Sequence, residues 1–212
     1  MAILATLRTN LFNLWGRVFK KKTSRIGIYG PPNAGKTTLA NRILSDFTGE
    51  TIGTASHVPH ETRRVKKRDG VTIKGTDGAS ITLDIVDTPG LATKIDFHDF
   101  MALGIPEDEA KKRAKEATEG VIEAIKWMDN LDGVLLVMDS TEDPYTQVNV
   151  TVIGNMEARR LPMLIISNKM DLPEASVDRI RGAFPQHTVV PISALEGHNI
   201  GLLYDTIAKR FG

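Results

Sequence analysis

Gly30-Pro31-Pro32-Asn33-Ala34-Gly35-Lys36-Thr37 decides how this chain folds. A glycine, four residues and then Gly-Lys-Thr is the spacing of a phosphate-cradling P-loop. Before it, Arg25-Ile26-Gly27-Ile28-Tyr29 reads as a short buried strand. After it, Thr38 to Leu44 has helical spacing, with Leu39, Ile43 and Leu44 on one face. Strand, glycine loop and helix are the context the motif requires. Gly30 and Gly35 let successive backbone N–H groups turn inward toward an anion, and the helix adds the positive end of its dipole. Pro31, Pro32, Asn33, Ala34 and Thr38 complete the predicted phosphate-binding loop. Lys36 reaches the β- and γ-phosphate oxygens, and the Thr37 hydroxyl is a Mg²⁺ ligand. The plainer alternative is a glycine turn before an ordinary helix.

Composition bounds the rest. A chain of 212 residues with 41% apolar content can build one large domain or two small ones. Lys and Arg (27) nearly balance Asp and Glu (26), so bulk charge selects no partner. The absence of cysteine rules out disulfides and cysteine metal sites and suits a reducing cytoplasm. No apolar run reaches the roughly 20 residues of a membrane-spanning helix.

Residues 1–22 stand apart from the predicted domain at 23–212. Ile3, Leu7, Leu11, Leu14, Trp15, Val18 and Phe19 form an apolar stripe at helical spacing, and the segment holds five basic residues and no acidic one. Arg8 and Asn10 interrupt the apolar stretch, which argues against a secretory signal. Two readings stay open. One is an interfacial helix on an anionic membrane surface, giving peripheral localisation. The other is an amphipathic helix packed on its own domain or on a partner.

Downstream, Thr48–Arg68 is polar and broken by Gly49, Gly53 and Pro59. A hairpin is predicted from Arg63–Ile73 and Ile81–Val86, turning near Thr76-Asp77-Gly78. Leu91 to Pro106 lacks periodicity. A helix opens at Pro106 and runs to Asn130, with Ala114, Ala117, Val121, Ile125 and Met128 facing inward. Strands follow at Gly133–Asp139, Met163–Ser167 and Thr188–Ile192, with helices at 145–160, 174–183 and Ile200–Arg210. The alternation predicts an α/β three-layer sandwich of the P-loop NTPase type, with a mostly parallel sheet of about six strands and one antiparallel edge strand. Ligands of such sheets lie beyond the carboxyl ends of the strands, where the motifs fall.

Three further motifs complete a nucleotide site. Asp87-Thr88-Pro89-Gly90 ends a strand. Asp87 can hold Mg²⁺ through water, and the Gly90 N–H can donate to a γ-phosphate. Asn168-Lys169-Met170-Asp171 ends another strand. The Asp171 carboxylate can accept from the N1–H and N2–H₂ edge of guanine, a pair that adenine lacks. Asn168 would brace the loop and contact the base, and the Lys169 stem would cover its face. In Ser193-Ala194-Leu195 the Ala194 N–H would meet guanine O6.

Taken together, these residues resemble the translation-factor-related GTPases, in particular the Era and TrmE branch, over about residues 24–210. The Gly-x-Pro-Asn-x-Gly-Lys loop, Asp-Thr-Pro-Gly, Asn-Lys-Met-Asp and Ser-Ala-Leu stand in family order, and Val137-Met138-Asp139-Ser140 with Pro144 also matches. The resemblance implies binding of GTP and GDP with Mg²⁺. It implies a first-switch threonine that closes over Mg²⁺ and the γ-phosphate. Thr62 in Pro59-His60-Glu61-Thr62-Arg63 fits the Pro-x-x-Thr-Arg pattern; Thr51 and Thr54 are the other candidates. The second switch would run from Gly90 into Leu91–Gly104. Era proteins carry a carboxy-terminal KH domain that binds ribosomal RNA. This sequence ends at Gly212, so a G domain alone is expected.

Ras-type proteins place a water-orienting glutamine where Leu91 stands, and Leu91 can neither orient nor deprotonate water. Hydrolysis would then rest on positioning and charge compensation, with Lys36, Thr62, Gly90 and Asn33 as the catalytic candidates. In the resembled branch an asparagine at the position of Asn33 helps hold K⁺ beside the phosphates. That predicts potassium-stimulated hydrolysis, slow without K⁺ or a partner. Alternatively, Asn33 simply suits the loop backbone. His57, His60 and His98 read as solvated loop residues.

One basic stretch, Arg63-Arg64-Val65-Lys66-Lys67-Arg68, adjoins the first switch. It could meet RNA phosphates, acidic protein or lipid, or simply protect an edge strand by charge. Three functions remain open: a switch timed by a partner in ribosome or RNA-related assembly, a membrane-surface GTPase using residues 1–22, and a low-turnover scaffold. Nucleotide-dependent dimerisation is an expectation by analogy.

Overall fold

A computed structural model describes residues 23–53, 64–76, 78, 80–92 and 95–212. β1 (Ser24–Tyr29) runs into the glycine loop and then into α1 (Lys36–Thr48). The hairpin strands β2 (Lys66–Lys74) and β3 (Ser80–Asp87) follow. Then come α2 (Phe97–Ala102), α3 (Glu107–Trp127) with a 3₁₀ turn at Met128–Asn130, and β4 (Gly133–Asp139). α4 (Gln147–Ala158), β5 (Met163–Asn168), α5 (Val177–Ala183), β6 (Val189–Pro191) and α6 (Ile200–Phe211) complete the order. The sheet order is β2-β3-β1-β4-β5-β6, with only β2 antiparallel to its neighbour.

The apolar strands explain the layers. Alternate residues point to opposite faces. Ile26 and Ile28 of β1 join Leu135 and Val137 of β4 beneath α1 and α6. Val134, Leu136 and Met138 face the other way, toward α3, α4 and α5. Each fully buried Leu or Ile side chain contributes about 1.5–3 kcal/mol. α1 packs through Leu39, Ala40, Ile43 and Leu44, and ends at Gly49, whose φ of 73° lets its N–H donate to Ser45 O.

The hairpin forms as expected, with β2 starting at Lys66. A register shift between Arg68 and Val71 marks a bulge, and the Gly70 N–H donates to Asp84 Oδ1 there. Part of the charge of β2 is matched locally. Lys67 pairs with Asp69 and Asp84, and Arg68 with Glu50.

Two expectations are corrected. Ile125 does not face inward; it is exposed, and Ala114 and Val121 are half-buried. The buried residues of α3 are Ala110, Ala117, Gly120 and Ala124, with Met128 just beyond. Small residues let the helix axis approach the sheet, and the Tyr29 hydroxyl donates to Ala124 O at 2.7 Å across that contact. The stretch from Leu91 to Pro106 holds the short helix α2, capped by Asp96, whose side chain accepts from the His98 N–H. Residues 1–22, Thr54 and Thr62 lie outside the described residues, as do His57 and His60.

Candidate functional site

Because β1, β3, β4, β5 and β6 are parallel, the loops that follow them gather at one edge of the sheet. The phosphate loop leaves β1 through Gly30, at φ 145°. A Cβ there would stand 2.1 Å from Val137 O, so the close approach of loop to β4 demands glycine. Asn33 adopts φ 60° and Gly35 φ 93°, the left-handed region that turns consecutive peptides inward.

Lys36 opens α1 almost fully buried, and its ammonium donates to Pro31 O at 2.7 Å. Burial lowers its pKa from 10.5 to about 8, against the opposing pull of Asp87. The Thr37 hydroxyl donates to Asp87 Oδ2 at 2.9 Å. Asp87 is wholly buried, and its Oδ1 has no hydrogen-bond partner among the described residues. Burial pushes the Asp87 carboxyl above its ordinary range, opposed by Lys36 and the Thr37 hydroxyl. An orphaned carboxylate oxygen beside a hydroxyl oxygen is the donor set of a hard divalent cation, so the residues fit Mg²⁺.

The residues expected to form the second switch start against this loop. Leu91 N donates to Gly30 O at 3.1 Å, and a Cβ on Gly90 would stand 2.7 Å from Pro32 Cα. The Leu91 side chain is buried in the apolar layer with Tyr29 and Val86. Thr88 is wholly buried, and its hydroxyl donates to Ile28 O at 2.7 Å.

The guanine-loop candidates are tied to the phosphate loop. Asn168 is buried, and its Nδ2 donates to Ala34 O at 2.8 Å. Its Oδ1 accepts from the Ala194 N–H at 2.9 Å. That N–H, expected to meet guanine O6, is therefore engaged by Asn168. Lys169 is left-handed at φ 65°, and its ammonium pairs with Asp139 Oδ2. Burial alone would raise the Asp139 pKa. Hydrogen bonds from Lys169 and Thr141 more than offset this and hold the carboxyl below its usual range. Asp171 is exposed at the loop tip, with Leu195 exposed in the neighbouring loop. The Ser193 hydroxyl accepts from the Glu196 N–H at 3.0 Å, closing the turn that presents Ala194.

Three further residues shape the site. Arg42 of α1 donates from Nε to Ala194 O at 3.2 Å and from Nη2 to Leu195 O at 2.6 Å. Asn41 clamps the backbone of Ile52 and Gly53 beyond the end of α1. Its Oδ1 accepts from Ile52 N at 2.8 Å and Gly53 N at 3.3 Å, and its Nδ2 donates to Gly53 O at 2.7 Å. Asp139 holds Lys169. Only their helix or strand placement was visible in the sequence. Thr51 sits exposed just before the Asn41 clamp. Among the described residues no His/Asp/Glu cluster forms a separate metal site, and no helix is long and apolar enough to cross a membrane.

Sheet order, glycine loop and the loops after β3, β5 and β6 define a GTPase-type P-loop domain. Residues 25–169 match the family described as 50S ribosome-binding GTPase. The chain belongs to that family, as a G domain of the Era type. Among similar proteins, GTPase Era of Geotalea daltonii is 28% identical over 187 residues, covering 86% of this chain and 53% of the relative. GTPase Era of Geobacter metallireducens is 30% identical, covering 87% and 54%. GTPase Der of a Marinomonas species is 29% identical, covering 88% of this chain and 38% of the relative. This chain thus spans about half the length of the Era relatives. In structure it is similar to Aquifex aeolicus Era bound to GDP·AlF₄⁻, with TM-score 0.66 and 24% identity, covering 90% of this chain and 57% of that one. It is equally similar to Era in complex with MgGDPNP and nucleotides 1506–1542 of 16S ribosomal RNA, with TM-score 0.67, 24% identity and the same coverage. These two structural likenesses speak for the fold.

Proposed function

We propose that residues 23–212 bind GTP and GDP, hydrolyse GTP slowly, and act as a switch for a ribosomal RNA or ribosomal-particle partner. The observation that carries this is Asn168, which bridges the phosphate loop at Ala34 to the loop at Ala194. One side chain thereby holds phosphate recognition and guanine recognition in a fixed relation. The RNA partner is suggested by the Era relative whose structure contains 16S ribosomal RNA. That chemistry fits a cytoplasmic protein. The membrane and dimer readings rest on residues 1–22 and on analogy, and no observation on the described residues favours them.

In this reading, the backbone N–H groups of Asn33 to Thr38 face the phosphates, and Lys36 turns from Pro31 O to the β- and γ-oxygens. Thr37, Asp87 and, by the resemblance, Thr62 would hold Mg²⁺, which when bound neutralises charge between the β- and γ-phosphates. Gly90 donates its N–H to the γ-phosphate. Asp171 accepts from the guanine edge, the Lys169 stem covers the ring, and Ala194 shares its N–H between Asn168 and guanine O6. Ser193 and Leu195 shape that loop. Leu91, buried away from the phosphates, supplies no water-orienting group. Charge compensation by Lys36 and, as a further part of the proposal, K⁺ at Asn33 takes its place. Asn33 tolerates φ 60° without any cation, so a salt comparison decides the K⁺ part.

The test is GTP hydrolysis in matched sodium and potassium buffers, with Asn33→Ala alongside. Potassium stimulation that disappears in Asn33→Ala supports the K⁺ part. Equal rates in both salts remove it. Absence of GDP binding at saturating Mg²⁺ removes the whole reading.

A further inference from the structure

We propose that Lys66 is a resident cation at the magnesium corner of the site, holding nucleotide phosphates when Mg²⁺ is scarce and weakening Mg²⁺ binding in return. The inference rests on the GTP–Mg²⁺ reading above and adds a residue that lies outside the nucleotide-site motifs.

Lys66 is the first residue of β2 and pairs across the sheet with Asp87, the last residue of β3. Residues directly opposite in an antiparallel pair share a face, with Cβ atoms about 4.5–5.5 Å apart. Lys66 therefore leaves the strand on the side where Asp87 meets Thr37. Its ammonium is further located by Gly53. A Cβ on Gly53 would stand 2.6 Å from Lys66 Nζ and 3.5 Å from Thr37 Cγ2. Gly53, Thr37 and the Lys66 ammonium thus line one small corner. Gly53 is pinned there by two hydrogen bonds to the Asn41 side chain, with a third from the neighbouring Ile52 N–H.

The neighbouring cations of β2 are already matched, Lys67 by Asp69 and Asp84 and Arg68 by Glu50. Among the described residues, no carboxylate lies within ion-pair distance of Lys66. The charged groups facing it are Asp87, which carries the cation-binding oxygen, and the Lys36 ammonium beyond. Lys66 is exposed, and a positive charge at this place has two opposite effects. It attracts phosphate oxygens and it repels an arriving divalent ion. The two effects are linked, because Mg²⁺ strengthens nucleotide binding by the same factor that nucleotide strengthens Mg²⁺ binding. Lys66 makes that factor smaller.

The experiment measures a fluorescent GDP analogue binding to the full chain, in EDTA and across a Mg²⁺ titration, for the native protein, Lys66→Met, Lys66→Arg and Gly53→Ala. In Lys66→Met, Mg²⁺-free GDP binding should weaken about tenfold while the half-saturating Mg²⁺ concentration falls about threefold to tenfold. Lys66→Arg should keep native behaviour. Gly53→Ala, whose methyl displaces the ammonium without removing it, should move both quantities in the direction of Lys66→Met. Opposite signs are the signature, because a merely structural loss weakens nucleotide and Mg²⁺ together. Loss of both affinities in Lys66→Met, or a change in neither, overturns the proposal. A native chain that binds no GDP at saturating Mg²⁺ refutes the nucleotide reading, and the role of Lys66 falls with it.

Discussion

Replacing Asn168 by alanine should cost far more than the loss of two exposed hydrogen bonds. The side chain is 3% exposed and joins two segments 134 and 26 residues away in sequence. Its removal strands the Ala34 carbonyl and the Ala194 N–H, on residues only 1% and 2% exposed. A buried polar group left unpaired costs about 1–3 kcal/mol, so the pair sums to about 2–6 kcal/mol. Water entering the space left by the amide moves the expectation to the lower half of that range, about 3 kcal/mol. For a domain of this size each kcal/mol shifts Tm by about 2–4 °C, giving a fall of about 6–12 °C. Urea unfolding of the nucleotide-free protein reads the loss directly, and GDP titration reads the second consequence, a guanine loop no longer fixed to the phosphate loop. A stability loss below about 1 kcal/mol with GDP affinity intact would refute the bridging role.

Other expectations follow from the same geometry. Asp171→Ala should leave stability within about 0.5 kcal/mol, since the residue is exposed, yet weaken GDP by about 100-fold or more through loss of two charge-assisted hydrogen bonds; paired melting and titration check both halves. Lys36 is protonated in folded and unfolded chains below pH 8, so its burial cost is then full; between pH 8 and 10.5 only the unfolded chain keeps the proton, and stability rises with pH. Urea curves at pH 7.5 and 9.5 should show the native protein gaining about 2 kcal/mol relative to Lys36→Met, and parallel curves would contradict the buried ammonium. Gly30→Ala should cost about 3 kcal/mol through collision with Val137 O, whereas Gly78→Ala, with open space around it, should cost about 1 kcal/mol for its positive φ alone; their melting temperatures should separate accordingly.

The sequence displayed the phosphate loop, the three loops that meet it and nearly every strand, because each depends on local spacing. β4 is visible as seven consecutive residues of a buried parallel strand, with Asp139 at its end. The phase of α3 was not visible. A hydrophobicity reading prefers Val121 and Ile125, while the sheet accepts Gly120 and Ala124 because their small size lets the helix come close. The contacts made by Asn41, Arg42 and Lys66 were hidden for another reason. Each joins segments whose separation in sequence carries no periodic signal: Arg42 to Ala194, Asn41 to Gly53, Lys66 to the corner beside Thr37. The helix α2 escaped because six residues are too few to establish a period.

Arg42 lies six residues along α1 from Lys36, about 9 Å at 1.5 Å per residue. One stiff rod therefore carries the Lys36 ammonium at one point and the brace on the Ala194–Leu195 loop at another. α1 acts as a calliper whose jaws are set by helical rise. A ligand whose base and phosphates are spaced differently would be excluded by that setting, even where no residue touches the altered part. Deleting one residue between Leu39 and Asn41 would swing Arg42 by about 100° and open the calliper while leaving every motif in the chain unchanged.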